Sequence, residues 1–253
     1  MSDRRVFRIG QIVPSSNTTM ETEVPAMLQR AAMPPSVGFS FHSSRAPMKT
    51  VARDELSAMN GHMVRCAREL TDARMDVIAS ACLVAIMCQG PGYHREIERS
   101  LSEVCREDAP ETAIVTSAGA LIEALKALGA NKIAVITPYM KSLTELVTGY
   151  IENEGIEVLD AISLEIPNNL EVGARDPLAL VETVKQLSTA NTDAVVLSAC
   201  VQMPSLAALD TVQRTLDVPV LSTAAATVFE ILRALKLPTE VPAAGDLLCG
   251  RHG

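Results

Sequence analysis

The residues best placed to do chemistry are two cysteines that end matched apolar runs. Val77-Ile78-Ala79-Ser80-Ala81-Cys82 and Val195-Val196-Leu197-Ser198-Ala199-Cys200 come just after an aspartate, Asp76 or Asp193, and both close on Ser-Ala-Cys. An apolar run with no helical period reads as a buried parallel strand, its last residue at the carboxyl edge of a sheet. A single cysteine there is readily a core residue, because free thiols are among the most buried side chains. Two thiols at equivalent places in similar halves point instead to one site built from both. Cys82 is followed by Leu83-Val84 and Cys200 by Val201-Gln202. Backbone N–H groups just past a strand end form an anion cradle, and the same field lowers a thiol pKa. The pair are therefore candidates for nucleophile and acid/base roles.

Three neutral donors sit in comparable loops. Asn17 follows a strand that ends at Pro14, Tyr139 directly follows Pro138, and Asn169 lies in the Pro167-Asn168-Asn169 loop. Each also has a plain structural reading: Asx-turns for the asparagines and a surface position for the tyrosine.

Elements that position these residues alternate between strand and helix. In the first half, strands are expected at Ile9–Val13, Val37–Phe41, Val77–Cys82 and Thr112–Thr116. Helices follow from the Thr18-Thr19 cap region, at 53–72 with Leu56, Met59, Met63, Ala67 and Leu70 on one face, at 94–106, and at 118–128. In the second half, strands are expected at 132–137, 156–162, 195–200 and 218–221. The helices there are 139–154, 176–189 capped by Asp176, 203–216 and 224–237. From Pro238 the tail reads as extended or surface-packed.

The two halves also match in sequence. Ile9–Pro14 answers Ile133–Pro138, the Ser-Ala-Cys runs answer each other, and Glu123–Leu128 answers Glu230–Leu235. The matches keep their order while their offset shrinks, which an internal duplication with shorter later connections explains. The expected fold is α/β, with two Rossmann-like lobes, each a four-stranded parallel sheet flanked by helices, related by a pseudo-twofold axis. Ligands of open parallel sheets bind beyond the carboxyl strand ends, so the active site belongs in the cleft between the lobes.

Composition narrows the function classes. The chain has 253 residues, 48% hydrophobic and 21% charged, with a formal net charge of −8 and no tryptophan. There is no basic stripe for nucleic acid. The polar start, Met1–Arg8, is not an apolar signal segment, and no run is long enough to span a bilayer, so the cytoplasm is the default location. Six cysteines in that compartment are expected to be reduced. Without Cys-x-x-Cys, and with four scattered histidines, no metal site is expected.

The stretch Ile12-Val13-Pro14-Ser15-Ser16-Asn17-Thr18-Thr19-Met20-Glu21, with the two Ser-Ala-Cys ends, resembles the maleate cis–trans isomerases. That family lies in the aspartate/glutamate racemase superfamily, with arylmalonate decarboxylase and hydantoin racemase, and the resemblance covers essentially the whole chain. It implies lobes of residues 1–117 plus 225–253 and of residues 118–224, a homodimer, no cofactor, a small dicarboxylate substrate and a place in nicotinate degradation. It further implies that Cys82 is the nucleophile and Cys200 the acid/base partner. Asn17, Tyr139 and Asn169, with backbone at Leu83, Val84 and Val201, are implied as carboxylate binders. Cys88 matches no family catalytic position and reads as a packing residue.

Two rivals use the same residues. A two-cysteine amino-acid racemase, of the aspartate/glutamate or hydantoin type, needs a carboxylate for the ammonium group, and the Pro14 and Pro138 loops carry none. A non-catalytic dicarboxylate binder gives the thiols no role.

Overall fold

The computed structural model describes residues 4–253. Residues 1–3, which begin the expected first lobe and its polar start, lie outside the described residues. The first half runs β1 (Arg5–Pro14), α1 (Met20–Arg30), β2 (Val37–Ala46), α2 (Arg53–Asp72), β3 (Val77–Ser80), α3 (Leu83–Met87), α4 (Tyr93–Cys105) and β4 (Ala113–Thr116). It continues through α5 (Ser117–Ala127), β5 (Lys132–Thr137), α6 (Lys141–Asn153), β6 (Glu157–Ser163), α7 (Asn169–Gly173) and α8 (Ala179–Thr183). The chain then forms β7 (Ala194–Ser198), α9 (Leu206–Gln213), β8 (Val220–Ser222) and α10 (Thr223–Ala234).

The strands form two four-stranded sheets, ordered β2-β1-β3-β4 and β6-β5-β7-β8, with every pairing parallel. In each sheet the order reverses direction between the first strand and the third, β1/β3 and β5/β7. That reversal opens a crevice at the carboxyl ends, where ligands of open α/β sheets bind.

The duplication is visible in atoms. Asp76 Oδ2 accepts from Arg8 N at 2.7 Å, and Asp193 Oδ2 accepts from Asn131 N at 2.9 Å and Lys132 N at 2.8 Å. Each aspartate thus holds the main chain of its lobe's central strand, Asp76 within β1 and Asp193 at the start of β5. Beyond β3 and β7, Ala81 N donates to Ile12 O at 2.8 Å and Ala199 N to Ile136 O at 2.9 Å. The helices after β4 and β8 are capped alike, by Thr116 Oγ1 accepting from Gly119 N and Ser222 Oγ accepting from Ala225 N.

Buried β3 and β7 are apolar on both faces, as strands covered by helices must be. Helix α2 buries Leu56, Met59, Met63, Ala67 and Leu70, the stripe its spacing predicts. Helix α10 packs on α5, α1, β3 and β4, which brings the end of the chain back to the first sheet.

Three local expectations change. Neither Thr18 nor Thr19 caps α1: Asn17 Oδ1 accepts from Met20 N at 3.0 Å, while Thr19 Oγ1 donates to Gln202 O. The helix expected over 176–189 is one turn, Ala179–Thr183, continued by a 3₁₀ turn at Val184–Gln186. There Thr183 Oγ1 bonds back to Ala179 O, a competitor that weakens helices, and Asp176 Oδ1 forms a turn with Leu178 N instead of a cap. Finally, α9 starts at Leu206 rather than Met203, because Pro204 keeps its predecessor out of the helical region.

Candidate active site

The carboxyl ends of the two sheets meet in one small pocket, with an empty volume of about 290 Å³. Asn17, Cys82, Leu83, Val84, Tyr139, Asn169, Cys200 and Val201, the site residues expected from sequence, all line it. Pro14, Met48, Val51 and Gln202 line it as well.

The first lobe contributes the β1 and β3 ends. Pro14 closes β1, and Asn17 N donates to Pro14 O at 2.8 Å in a tight turn. Arg45 fixes the back of this turn by donating to Ser15 O and Asn17 O. Asn17 spends its Oδ1 on the α1 cap, so its two amide N–H groups are not needed there.

Cys82 follows β3 with left-handed backbone, φ 75° and ψ 71°. That conformation costs a residue with a Cβ about 1–3 kcal/mol and is common at functional sites. The turn leads directly into α3. Cys88, at the end of α3, is half-buried, packs on the core and donates to Ala85 O.

The second lobe contributes Tyr139 after β5, Cys200 after β7, and Asn169 at the start of α7. Asn168 caps α7 by accepting from Leu170 N. Asn169 Nδ2 reaches across the cleft to Ser16 Oγ at 2.7 Å. The Gln202 amide also bridges the cleft: Oε1 accepts from Thr18 N, and Nε2 donates to Ser16 O and Asn169 O. Cys200 receives hydrogen bonds from the Tyr139 hydroxyl and from the backbone of Gln202 and Met203.

Electrostatics correct one expectation. Strand-end amides were expected to lower the thiol pKa values, but burial outweighs them. Cys82 is pushed up to about 12, chiefly by desolvation and further by the neighbouring Cys200 and Cys88, against one hydrogen bond from Ala85. Burial also raises Cys200, opposed by its three donors. Tyr139 is pushed well above the usual phenol range by burial and by the two thiols. All three are neutral in the ligand-free site near neutral pH.

Among the described residues no charged side chain lines the pocket, so a bound anion would meet neutral donors. Among the described residues, Asp246, Cys249 and His252 are close enough to share a cation, but they lie in the C-terminal segment. There Arg251 already donates to Asp246 and Cys249.

Sequence reasoning passed over Met48, Val51 and Gln202. Met48 and Val51 cover the pocket from the β2–α2 connection, held by Ser15 Oγ at both Met48 N and O. Their signal was positional: two apolar residues in a loop beside the β1 end. Gln202 was visible only as a polar residue two places after Cys200.

Two duplicated parallel sheets sharing one pocket, with a cysteine from each, define a two-lobed α/β enzyme of the two-thiol kind. The chain belongs to the arylmalonate decarboxylase family, whose model matches residues 9–248. Within it, the chain is 58% identical to a maleate isomerase from Geobacillus stearothermophilus, over 97% of this chain and 98% of that one. Its fold is similar to a maleate isomerase of Pseudomonas putida S16, solved as a cysteine-to-alanine variant with maleate. The TM-score is 0.95 and the identity 53%, covering 98% and 99% of the two chains. It is also similar to a cysteine-to-serine variant of the Nocardia farcinica maleate cis–trans isomerase, which carries a covalently bound succinylcysteine intermediate. There the TM-score is 0.92 and the identity 45%, covering 96% and 98%. No helix among the described residues is long and apolar enough to cross a membrane.

Proposed function

We infer that this protein is a maleate cis–trans isomerase that converts maleate to fumarate without a cofactor. The observation that carries the reading is the meeting of Cys82 and Cys200 in a pocket of neutral donors, in a chain so similar to maleate isomerases.

Maleate cannot rotate about its double bond. In this reading both thiols start protonated, and Cys200 takes the Cys82 proton as it releases its own towards the substrate, a release eased by the backbone donors of Gln202 and Met203. Cys82 sulfur, its pKa pushed up to about 12, is a strong nucleophile once deprotonated. It adds to C2, and the π pair moves to C3 and its carboxylate, where the amides of Asn17 and Asn169, backbone at Leu83, Val84 and Val201, and the Tyr139 hydroxyl stabilise it. Cys200 delivers its proton to C3, giving a succinylcysteine with a single C2–C3 bond. After rotation Cys200 takes the C3 proton as it hands its own back to the departing Cys82 sulfur, the double bond re-forms, and the C–S bond breaks to release fumarate.

An amino-acid racemase is disfavoured because no carboxylate among the described residues lines the pocket to meet an ammonium group. The family resemblance adds a cytoplasmic homodimer serving nicotinate degradation to the reading. The test is to dialyse purified protein against a chelator, add maleate alone, and follow its absorbance while fumarate is identified by proton NMR. Fumarate formation is expected. Unchanged maleate, with racemisation of aspartate or glutamate instead, would overturn the assignment.

A further inference from the structure

We propose that Gln202 is a positioning residue that holds Asn17 and Asn169 together as one carboxylate cradle. This rests on the reading that the pocket binds a dicarboxylate.

A glutamine amide offers one acceptor oxygen and two N–H donors. All are used, and each bond ends beside a proposed ligand-binding asparagine. Oε1 accepts from Thr18 N at 3.1 Å and Nε2 donates to Ser16 O at 3.1 Å, so the amide brackets Asn17 from both neighbours. The second Nε2 bond goes to Asn169 O at 2.9 Å. The main chain of Gln202 joins in, its carbonyl accepting from Thr19 Oγ1 at 2.7 Å. Only 4% of the residue is exposed, so losing any of these bonds strands a buried polar group.

Gly173 supplies a second, independent handle. It ends α7, the one-turn helix that Asn169 begins. A Cβ at Gly173 would lie 2.5 Å from Gln202 Nε2. The glycine is needed for space, not for a left-handed backbone, since it is absent from the positive-φ residues. The amide therefore bonds the start of α7 and lies close against its end, and the size of residue 173 sets where it sits.

The experiment uses succinate, a saturated dicarboxylate that cannot undergo addition, as the binding probe in calorimetry. Wild type, Gln202→Ala, Gly173→Ala and the double variant are compared. Alkylation of Cys82 by neutral iodoacetamide, mapped by peptide, reports the pocket without needing a carboxylate cradle. Gln202→Ala is expected to weaken succinate about tenfold or more, and Gly173→Ala about threefold, with no further loss in the double variant. The Cys82 alkylation rate is expected to stay within about twofold throughout. Succinate affinity within about threefold of wild type in Gln202→Ala, or a Gly173→Ala effect that persists in full beside it, overturns the proposal. So does a parallel change of about tenfold in alkylation, which marks general loosening. Wild-type maleate turnover judges the isomerase reading separately: succinate binding without turnover sinks that reading and leaves the clamp standing.

Discussion

Glu23 Oε1, on a helix of the first lobe, accepts a hydrogen bond from Leu206 N at 2.7 Å, at the start of a helix of the second. The same oxygen accepts from Ser205 N at 2.7 Å, and Oε2 from Ser205 Oγ at 3.1 Å. A carboxylate from one lobe thus caps α9 of the other, just past the Cys200 turn. Burial outweighs these donors, and the Glu23 pKa rises above its ordinary 4.5. A raised carboxyl pKa means the folded state binds the proton more tightly. The contribution of this group to stability is full below the unfolded value and is lost as pH rises through the folded one. Glu23→Gln keeps an acceptor for both amides without the charge. Its melting temperature should gain on wild type as pH rises past 4.5 and then level off. A difference independent of pH, or of opposite sign, would show that the donors fully offset desolvation.

The elevated thiols set a second expectation. Alkylation of Cys82 in the ligand-free protein should rise about tenfold per pH unit from about pH 7 through 9, without levelling, because only the thiolate reacts. The ordinary thiol value is 9.0, and burial places Cys82 near 12. A plateau at or below the ordinary value would mean that the strand-end amides prevail after all.

Removing either sulfur should stop turnover. Cys82→Ala and Cys200→Ala are each expected to keep under about a tenth of wild-type activity while losing no more than about 2 kcal/mol of stability. In Cys200→Ser, acid-quenched after mixing with maleate and mapped by mass, a rapid adduct should sit on the Cys82 peptide. It should be blocked by competing succinate, which separates it from slow alkylation of other thiols. A rapid, blockable adduct on residue 82's partner in wild type, Cys200, would reverse the two roles.

Tyr139→Phe deletes the hydroxyl that hydrogen-bonds Cys200. Such a donor contributes roughly 2–4 kcal/mol in a transition state, so kcat/KM for maleate should fall about 30-fold or more. The Cys200 thiol pKa should climb further, readable in its own alkylation profile. Unchanged kinetics would reduce Tyr139 to a packing residue.

Features with a local cause were legible in the sequence. Asp76 and Asp193 marked the strand starts, Ser-Ala-Cys marked the strand ends, and the stripe from Leu56 to Leu70 marked the buried face of α2. The matched halves carried the two sheets, and the sheets carried the cleft. What escaped depends on the other lobe or on backbone detail. The sign of the Cys82 shift comes from burial by both lobes, with Cys200 adding to it. Gln202 is meaningful only once Ser16, Thr18 and Asn169 surround it. The left-handed turn at Cys82 has no glycine or asparagine to announce it. At Asn17 the type was right and the job incomplete, since it caps α1 while lining the pocket.

The return of α10 to the first sheet has a consequence for how the molecule is made. Helix α1 buries Met20, Val24, Met27 and Leu28, and α10 is among the elements packed on it. Nearby, Ala32 N donates to Glu240 O at 2.8 Å. A ribosome releases the amino end first, so β1 to β4 emerge long before the helix that completes their cover. The first lobe cannot finish its core during synthesis of the second. A nascent chain halted before Thr223 would present that apolar face to chaperones, and the finished protein should give up both lobes in one cooperative step.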